Sequence, residues 1–209
     1  MPKPRLILAS SSPERRRLLT EANYTFDVVA PREEVECGIC STDGPATLVT
    51  ELAVSKALDV AARLRSPTDP ATGPSACVVL ACDTVAECGG EILGKPVDED
   101  HARNMLERLR GSVHRVYSGV CTWQSDVVEV APDVRLATSE LRMDPIDDDA
   151  LDTYLASGLW RGKAGAFGYQ DRPGWLHLLS GTESNVIGLP MDIVVEMLAQ
   201  RGISPGAER

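Results

Sequence analysis

Aromatic side chains are scarce in this chain: two Phe, three Trp and four Tyr make up 4% of the 209 residues. Hydrophobic residues nevertheless reach 43% and charged residues 25%, as in ordinary soluble globular proteins. The core must therefore be built mainly from Leu, Val, Ile and Ala. The length allows one large domain or two small lobes.

Basic residues are outnumbered by acidic ones, 21 to 31, and long apolar runs are lacking. The formal net charge of −10 argues against a general electrostatic grip on a nucleic acid polymer or an anionic membrane, although a local basic cluster could bind a small anion. No segment approaches the roughly 20 apolar residues of a membrane span, and Leu6–Ala9 is too short for the core of a signal peptide. We therefore predict a cytoplasmic protein with no nucleic acid or membrane partner.

The six cysteines lack the spacing of a complete zinc site. Cys37 and Cys40 form a Cys-x-x-Cys pair, which could bind zinc or do redox work. No second Cys pair or His pair lies nearby to complete a tetrahedral site. Free buried thiols are the favoured interpretation, and a metal- or redox-sensing module at Cys37 and Cys40 is a weaker alternative.

The Val-rich stretch from Cys77 to Val85 ends its apolar run at a carboxylate, Asp83. A short apolar run of this kind predicts a buried strand. Burying an ionised carboxylate without a partner is costly. Asp83 therefore either pairs with a buried cation or acts on something that enters a cleft.

Three arginines, Arg15 to Arg17, follow a predicted helix start. Ser before Pro is typical of a helix N-terminus, with Ser12 as N-cap and Pro13 at the first helical position. Basic side chains in the opening turns oppose the helix dipole. A shared phosphate-type anion would explain the arrangement, and a solvated basic face is the alternative.

Two lysines are candidate partners of Asp83. Lys56 falls in the middle of the apolar arc of a helix predicted from Asp43 to Leu64. A lysine in a buried face needs an anion, either a carboxylate or a ligand phosphate. A hairpin predicted at Glu87–Glu91 would bring Lys95 back toward Asp83.

An acidic loop contains Glu33, Glu34 and Glu36. Clustered carboxylates suit a hard divalent cation such as Mg²⁺, although acidic loops are common. Elsewhere strands and helices alternate with hairpins, and a polar loop is predicted over Gly181–Asn185. The pattern predicts an α/β fold with a mixed β-sheet flanked by helices.

Six blocks of the chain form an ordered set: Leu8–Pro13 with Arg15, Leu52-Ala53-x-x-Lys56-Ala57, Asp83-Thr84-Val85, Ile92–Pro96, Lys163–Phe167 with Gln170, and Asn185–Pro190. Each block alone is a weak signal. In this order, over nearly the whole chain, they resemble the signature of the Maf family of nucleoside triphosphate pyrophosphatases.

The resemblance implies a single domain over residues 1–209, with two lobes around a cleft, similar to the fold of the inosine triphosphate pyrophosphatases. It implies hydrolysis of a nucleoside triphosphate, most simply dTTP or UTP or a modified nucleotide, to the monophosphate and diphosphate. A divalent metal cation, Mg²⁺ or Mn²⁺, would take part. In such chemistry water attacks the α-phosphorus, cations offset the growing charge, and a carboxylate orients or deprotonates the water.

The matching positions imply roles for individual residues. Asp83 matches the family's acidic residue and is expected to act as general base or water-orienting group, and also as a metal ligand. The positions expected to bind the triphosphate are Ser10, Arg15, Lys56 and Lys95.

The resemblance also implies positions for metal binding and base choice. Glu34 or Glu36 would match the family's metal-binding glutamate, and the loop spacing leaves the register open. Gln170 matches a position associated with substrate choice, where glutamine resembles the branch acting on dTTP and UTP. The branch acting on 7-methyl-GTP carries glutamate there. Glu14 and Leu159 depart from the family's pattern, which bears on base specificity more than on the reaction.

Two readings of the same cleft stay open beside dTTP/UTP hydrolysis. One is the 7-methyl-GTP branch of the family. The other is a nucleotide-binding regulator without turnover, for example of cell division. A homodimer is compatible with the sequence, which does not decide the oligomeric state.

Overall fold

The computed structural model describes residues 4–35, 43–64, 77–124, 131–171 and 174–206. Within them a mixed sheet has the strand order β2-β1-β3-β5-β6-β7, and β4 also pairs with β3. Strand β1 is parallel to β2 and β3, and the remaining pairs are antiparallel. The strands are β1 Arg5–Ala9, β2 Asp27–Val28, β3 Cys77–Cys88, β4 Glu91–Leu93, β5 Val113–Gln124, β6 Asp133–Met143 and β7 Leu176–Ser180.

Helices cover both faces of this sheet, so the α/β fold with a mixed sheet is confirmed. The α-helices are α1 Pro13–Glu21, α2 Pro45–Leu64, α3 Glu99–Leu109, α4 Asp148–Ala156, α5 Glu183–Ile187 and α6 Met191–Gln200. Short 3-10 helices lie at Glu33–Val35, Ala164–Ala166 and Tyr169–Asp171. Within the described ranges, no helix combines the length and apolar character that a membrane crossing requires.

Side-chain caps explain two of the helix starts. The N-cap prediction at Ser12 is confirmed, because its Oγ accepts a hydrogen bond from the backbone N–H of Arg15 at 3.4 Å. The prediction of a polar loop over Gly181–Asn185 is wrong at its end. There Thr182 accepts from the backbone N–H of Asn185 at 3.3 Å and starts α5.

Strand β3 changes partner along one of its edges. Its first half, Cys77–Ala81, pairs with β1, and its last residues, Ala86–Cys88, pair with β4. Residues 82–85 have no strand partner on that edge among the described residues. On the other edge β5 pairs from Val78 to Glu87 without a break. The sheet therefore has a gap beside Asp83.

Alternate side chains of β3 enter two separate aliphatic cores, as the scarcity of aromatic residues predicted. On one face Val79 and Ala81 pack against Ala53, Ala57 and Val60 of α2. On the other face the core side chains come from β1, β3, α1 and α6, including Leu8, Leu80, Leu19 and Leu198. The period of two along a strand thus aims neighbouring residues at different helices.

Helix α2 lies directly against β5 at Gly119. A Cβ at this position would be 2.2 Å from the carbonyl oxygen of Val49. Gly119 also pairs with Asp83 across the two strands. Glycine thus permits the close approach of α2 to the sheet beside the gap.

A further core lies around β4, α3, α4 and the far ends of β5 and β6. Its buried side chains include Leu93, Leu106, Leu141, Leu155 and Trp160. The long strands β3 and β5 contribute side chains to this core and to the two cores described above. The gap beside Asp83 therefore lies along β3 between residues that enter different cores.

Candidate active site

A cavity of about 510 Å³ opens at the gap in the edge of β3. It is lined by the segment after β1, the start of α1, α2, β3, the turn after α4 and the end of α5. The structure brings together all the residues predicted for catalysis or substrate binding, and their chemical roles stay predictions. The lining includes Ser10, Arg15, Lys56, Asp83, Lys95 and Gln170.

Asp83 and Lys56 form a charge pair at the centre of this lining. Lys56 Nζ donates to Asp83 Oδ1 at 2.6 Å, and the two side chains are only 4% and 14% exposed. The odd-numbered residues of β3 face α2, which explains why Asp83 meets a lysine of that helix. The expected pairing of Asp83 with a buried cation is therefore confirmed. Asp83 also lines a cleft, and its action on a molecule in that cleft stays a prediction.

Arg15 approaches the gap from the opposite face of the sheet. Its guanidinium donates to the carbonyl oxygen of Gly188 at 2.8 Å, to Ser10 Oγ at 3.3 Å and to Thr84 Oγ1 at 3.2 Å. Among the described residues its hydrogen-bond partners are all neutral oxygens, although the cation is buried. A buried guanidinium without a carboxylate partner is suited to an anionic ligand.

The other two arginines of α1 do not share this cavity. Arg17 pairs with Glu14 at 3.0 Å and with Glu21 at 2.7 Å. Arg16 is exposed. The arrangement of three arginines around one anion is therefore wrong, because successive helical residues point in directions about 100° apart.

Ser10 lies at the end of β1, where the chain turns into α1. It is buried, and its Oγ accepts the backbone N–H of Ser12 at 3.1 Å. The same Oγ accepts from Arg15. The hydroxyl thus orders both the turn and the guanidinium beside it.

Thr84 and Ser118 are polar site residues that the sequence analysis did not single out. Thr84 Oγ1 lies 2.9 Å from Ser118 Oγ and 3.3 Å from the carbonyl oxygen of Gly188. Both hydroxyls face away from α2, on the same side as Arg15. Thr84 could have been found from the sequence, because it stands in the block Asp83-Thr84-Val85. Ser118 could not, because only the register between β3 and β5 places it opposite Thr84.

Lys163 and its partners form a second network that the sequence analysis missed. Lys163 lines the cavity and forms an ion pair with Asp171. The hydroxyl of Tyr154 lies 3.4 Å from Asp171 Oδ2 and accepts the backbone N–H of Gly168 at 3.0 Å. Burial raises the pKa of the Tyr154 phenol, so it stays a neutral hydroxyl. The network fixes the segment from 163 to 171.

A second cavity, of about 490 Å³, adjoins the first one at Gln170. Gln170, Glu14 and Ile187 line both spaces. Gln170 is half-buried, and its amide can both donate and accept a hydrogen bond. The cleft therefore offers room for a group larger than a phosphate chain beside this amide.

Charge in the cleft has the opposite sign to the charge of the molecule. The formal net charge of the chain is −10, yet basic side chains outnumber acidic ones in the cavity lining. Low-dielectric walls strengthen such a local field. The basic residues are Arg15, Lys56, Lys95, Arg161 and Lys163, and the acidic ones are Glu14 and Asp83.

Of the predicted metal ligands, the structure describes Asp83 and Glu34 but not Glu36. Glu34 is exposed on the 3-10 helix Glu33–Val35 and is not in the described lining of the cavity. Glu36, like Cys37 and Cys40, lies outside the described residues. Within those residues, no group of three or more His, Cys, Asp or Glu side chains is placed to hold a metal ion.

Asp83 by itself fits one kind of metal site. Lys56 occupies Oδ1, and no donor from the described residues contacts Oδ2. Mg²⁺ is commonly bound by one or two carboxylates together with substrate phosphates and water. The donor set thus suits a divalent cation that arrives with a polyphosphate, and it does not suit a cage made of protein ligands alone.

Fold and site together define an α/β protein with a cleft in which basic residues outnumber acidic ones. A sequence model of the family described as Maf-like protein matches residues 5–201, and the chain belongs to this family. This confirms the resemblance in the ordered blocks.

The alignments with named relatives extend over most of the chain. A "dTTP/UTP pyrophosphatase" of Rhodopirellula baltica is 45% identical over 92% of this chain and 80% of that protein. One of Symbiobacterium thermophilum is 39% identical over 94% of each chain. Among solved structures, a HAM1 protein from Coxiella burnetii matches 94% of this chain and 99% of its own, with 14% identity and a TM-score of 0.48.

Proposed function

We propose that this protein is a nucleoside triphosphate pyrophosphatase acting on dTTP and UTP. The observation that carries the proposal is the Lys56–Asp83 pair, which lines a cavity with a surplus of basic side chains. The names of relatives at 31–45% identity support the same activity. In this reaction water adds to the α-phosphorus and the α–β phosphoanhydride bond breaks. The products are a nucleoside monophosphate and inorganic pyrophosphate.

Asp83 is proposed to handle the attacking water. Its carboxylate would accept the proton of the water or hold the water in line for attack. Lys56 fixes the orientation of the carboxylate through Oδ1. Oδ2, which no donor from the described residues contacts, would then face the water.

The basic side chains of the cleft are proposed to hold the triphosphate. Arg15, Lys56 and Lys95 would offset negative charge on the phosphate oxygens, which grows as the anhydride bond breaks. Ser10 supports Arg15 and can donate its own hydroxyl to a phosphate oxygen.

A divalent cation, Mg²⁺ or Mn²⁺, is proposed to accompany the substrate. Asp83 would hold it, with Glu34 or Glu36 as a further ligand. When bound, such an ion polarises the phosphate oxygens and neutralises part of their charge.

Gln170 is proposed to select the base. The imide edge of uracil or thymine presents a donor between two acceptors, and the Gln170 amide offers one donor group and one acceptor. We further propose that the protein works in the cytoplasm on free nucleotides. A homodimer and the absence of a nucleic acid partner stay predictions.

The test is a panel of canonical and modified triphosphates, scored for pyrophosphate release with Mg²⁺ and Mn²⁺. We expect release from dTTP and UTP, and its loss in Asp83→Asn with unchanged circular dichroism. Full activity of Asp83→Asn would overturn the role of this residue. Saturable nucleotide binding without product would instead support a non-catalytic regulator, and a preference for 7-methyl-GTP would assign the protein to that branch.

A further inference from the structure

Arg161 is a basic residue of the cleft for which the resemblance assigned no role. Helix α4 ends at Ala156, and Arg161 lies in the turn that follows, before Lys163. Its side chain lines the same cavity as Asp83. Leu159, which departs from the family's pattern, lies in this turn as well. This part of the cleft lining therefore differs from that pattern.

The guanidinium of Arg161 is held by local packing. It lies 4.5 Å from the ring centroid of Trp160, in a cation–π contact. The indole is buried and anchored, because its Nε1 donates to the carbonyl oxygen of Leu155 at 3.0 Å. The guanidinium lies close to the backbone of Gly158, because this residue has no side chain. A Cβ added there would be 2.3 Å from Arg161 Nη1. The cation is therefore placed before any ligand arrives.

Arg161 has no carboxylate partner among the described residues. Some other exposed arginines do have one: Arg108 pairs with Glu91, and Arg115 pairs with Glu140. The chain has 31 acidic and 21 basic residues, yet some of its arginines have no carboxylate partner among the described residues. The described cavity lining has two, since Arg15 also bonds only to neutral oxygens.

We propose that Arg161 binds the polyphosphate chain of the nucleotide and is a substrate-binding residue of the cleft. The proposal rests on the proposed function. A guanidinium presents a planar fork of N–H donors that matches two phosphate oxygens, and it stays charged at every physiological pH. Because the indole already orients the fork, little side-chain freedom is lost when the phosphate binds.

Arg161→Gln is the direct test, with two readouts. We expect the KM for dTTP and UTP to rise about tenfold to hundredfold, as for loss of a hydrogen bond to a charged group. The Kd for inorganic tripolyphosphate, measured calorimetrically, should rise by a similar factor because this probe has no base. Arg161→Lys should recover only part of the affinity, since an ammonium lacks the fork.

Arg16→Gln is the matched control. Arg16 is exposed, also has no carboxylate partner among the described residues, and does not belong to the described cavity lining. The control removes the same charge, and we expect both constants to stay at their wild-type values. An equal loss in both variants would show a general charge effect and overturn the proposal.

Gly158→Ala moves the guanidinium without removing its charge. The added Cβ would occupy the space of Nη1, so binding of tripolyphosphate should weaken. Gly158 has a φ of +69°, and thermal unfolding must therefore accompany this measurement. Wild-type affinity in a folded Gly158→Ala protein would contradict the placement described here.

The two proposals fail in different ways. If Arg161→Gln raises the KM for nucleotides but leaves tripolyphosphate binding unchanged, Arg161 contacts the base and the phosphate role is overturned. If neither constant changes while wild-type protein releases pyrophosphate, only the proposal for Arg161 fails. If wild-type protein releases no pyrophosphate from any triphosphate, the proposed function fails, and tripolyphosphate affinity still tests Arg161.

Discussion

The Lys56–Asp83 pair bears both on the stability of the fold and on the geometry of the proposed reaction centre. Lys56 is almost fully buried, and Asp83 is mostly buried and lines the cavity. Removing one partner of such a pair leaves a buried charge uncompensated, at a cost of about 3–5 kcal/mol in buried cases. The geometry of the proposed reaction centre is thus maintained by an interaction on which the fold also depends.

His114 is a buried titratable group outside the cleft. It is 2% exposed, and its ring meets that of Phe167, a cavity-lining residue, at a centroid distance of 5.2 Å in an edge-to-face contact. Burial lowers the pKa of His114 from 6.5 to about 4. The folded protein therefore keeps this imidazole neutral at pH values where the unfolded chain protonates it.

The free energy of unfolding should fall as the pH drops from about 6.5 to about 4. In this window the unfolded state binds more protons at His114 than the native state does, so stability rises with pH. The full effect of this residue is about 3 kcal/mol, from the shift in pKa. Urea unfolding at a series of pH values measures it.

His114→Leu is the control for this pH dependence. Leucine cannot titrate, so the variant should lose less stability between pH 6.5 and 4 than the wild type does. Carboxylates contribute to acid sensitivity in both proteins and cancel in the comparison. Parallel curves for the two proteins would show that the imidazole is not kept neutral by the fold.

At the scale of elements, the distance between α2 and β5 positions Lys56. Gly119→Ala would put a Cβ 2.2 Å from the carbonyl oxygen of Val49, which is backbone and cannot rotate away. The helix must shift, and overpacking of this kind costs about 1–3 kcal/mol. We expect a lower unfolding free energy and a lower kcat, because Lys56 is carried by the same helix.

Gly94→Ala is the matched control for stability. A Cβ at Gly94 meets no atom within 4 Å, and its φ is not in the left-handed region. Denaturant unfolding should separate the two variants clearly. If Gly119→Ala unfolds like Gly94→Ala, α2 is not held against β5 in the way that the structure indicates.

At the scale of the whole molecule, the cleft is lined by elements that pack in separate hydrophobic cores. A ligand that binds only the folded state stabilises it, by about 2.7 kcal/mol at a concentration of 100 times Kd. We expect UTP with Mg²⁺ to raise the Tm of Asp83→Asn, which binds without turnover. Differential scanning calorimetry measures the shift.

Uridine at the same concentration is the control for phosphate recognition. The basic lining of the cavity should make the triphosphate the main source of affinity. Uridine should therefore leave the Tm nearly unchanged. An equal shift with uridine and UTP would place the binding energy on the nucleoside and contradict an anion-binding cleft.

The sequence by itself determined the elements and much of the cleft. Apolar periodicity placed β3 and α2, and Ser12 with Pro13 marked the start of α1. Lys56 was identified because a lysine in an apolar helical arc requires an anion. Local propensity and burial cost act within one element, so they can be read from residues a few positions apart.

Only the tertiary structure decided how these elements meet. The gap in the edge of β3 follows from the lengths of β1 and β4, and pairing lengths are not encoded in any one segment. The pairing of Lys163 with Asp171, the register that brings Ser118 to Thr84, and the packing of Arg161 on Trp160 all depend on three-dimensional placement. Charge partners are chosen by distance in space, which sequence separation does not fix.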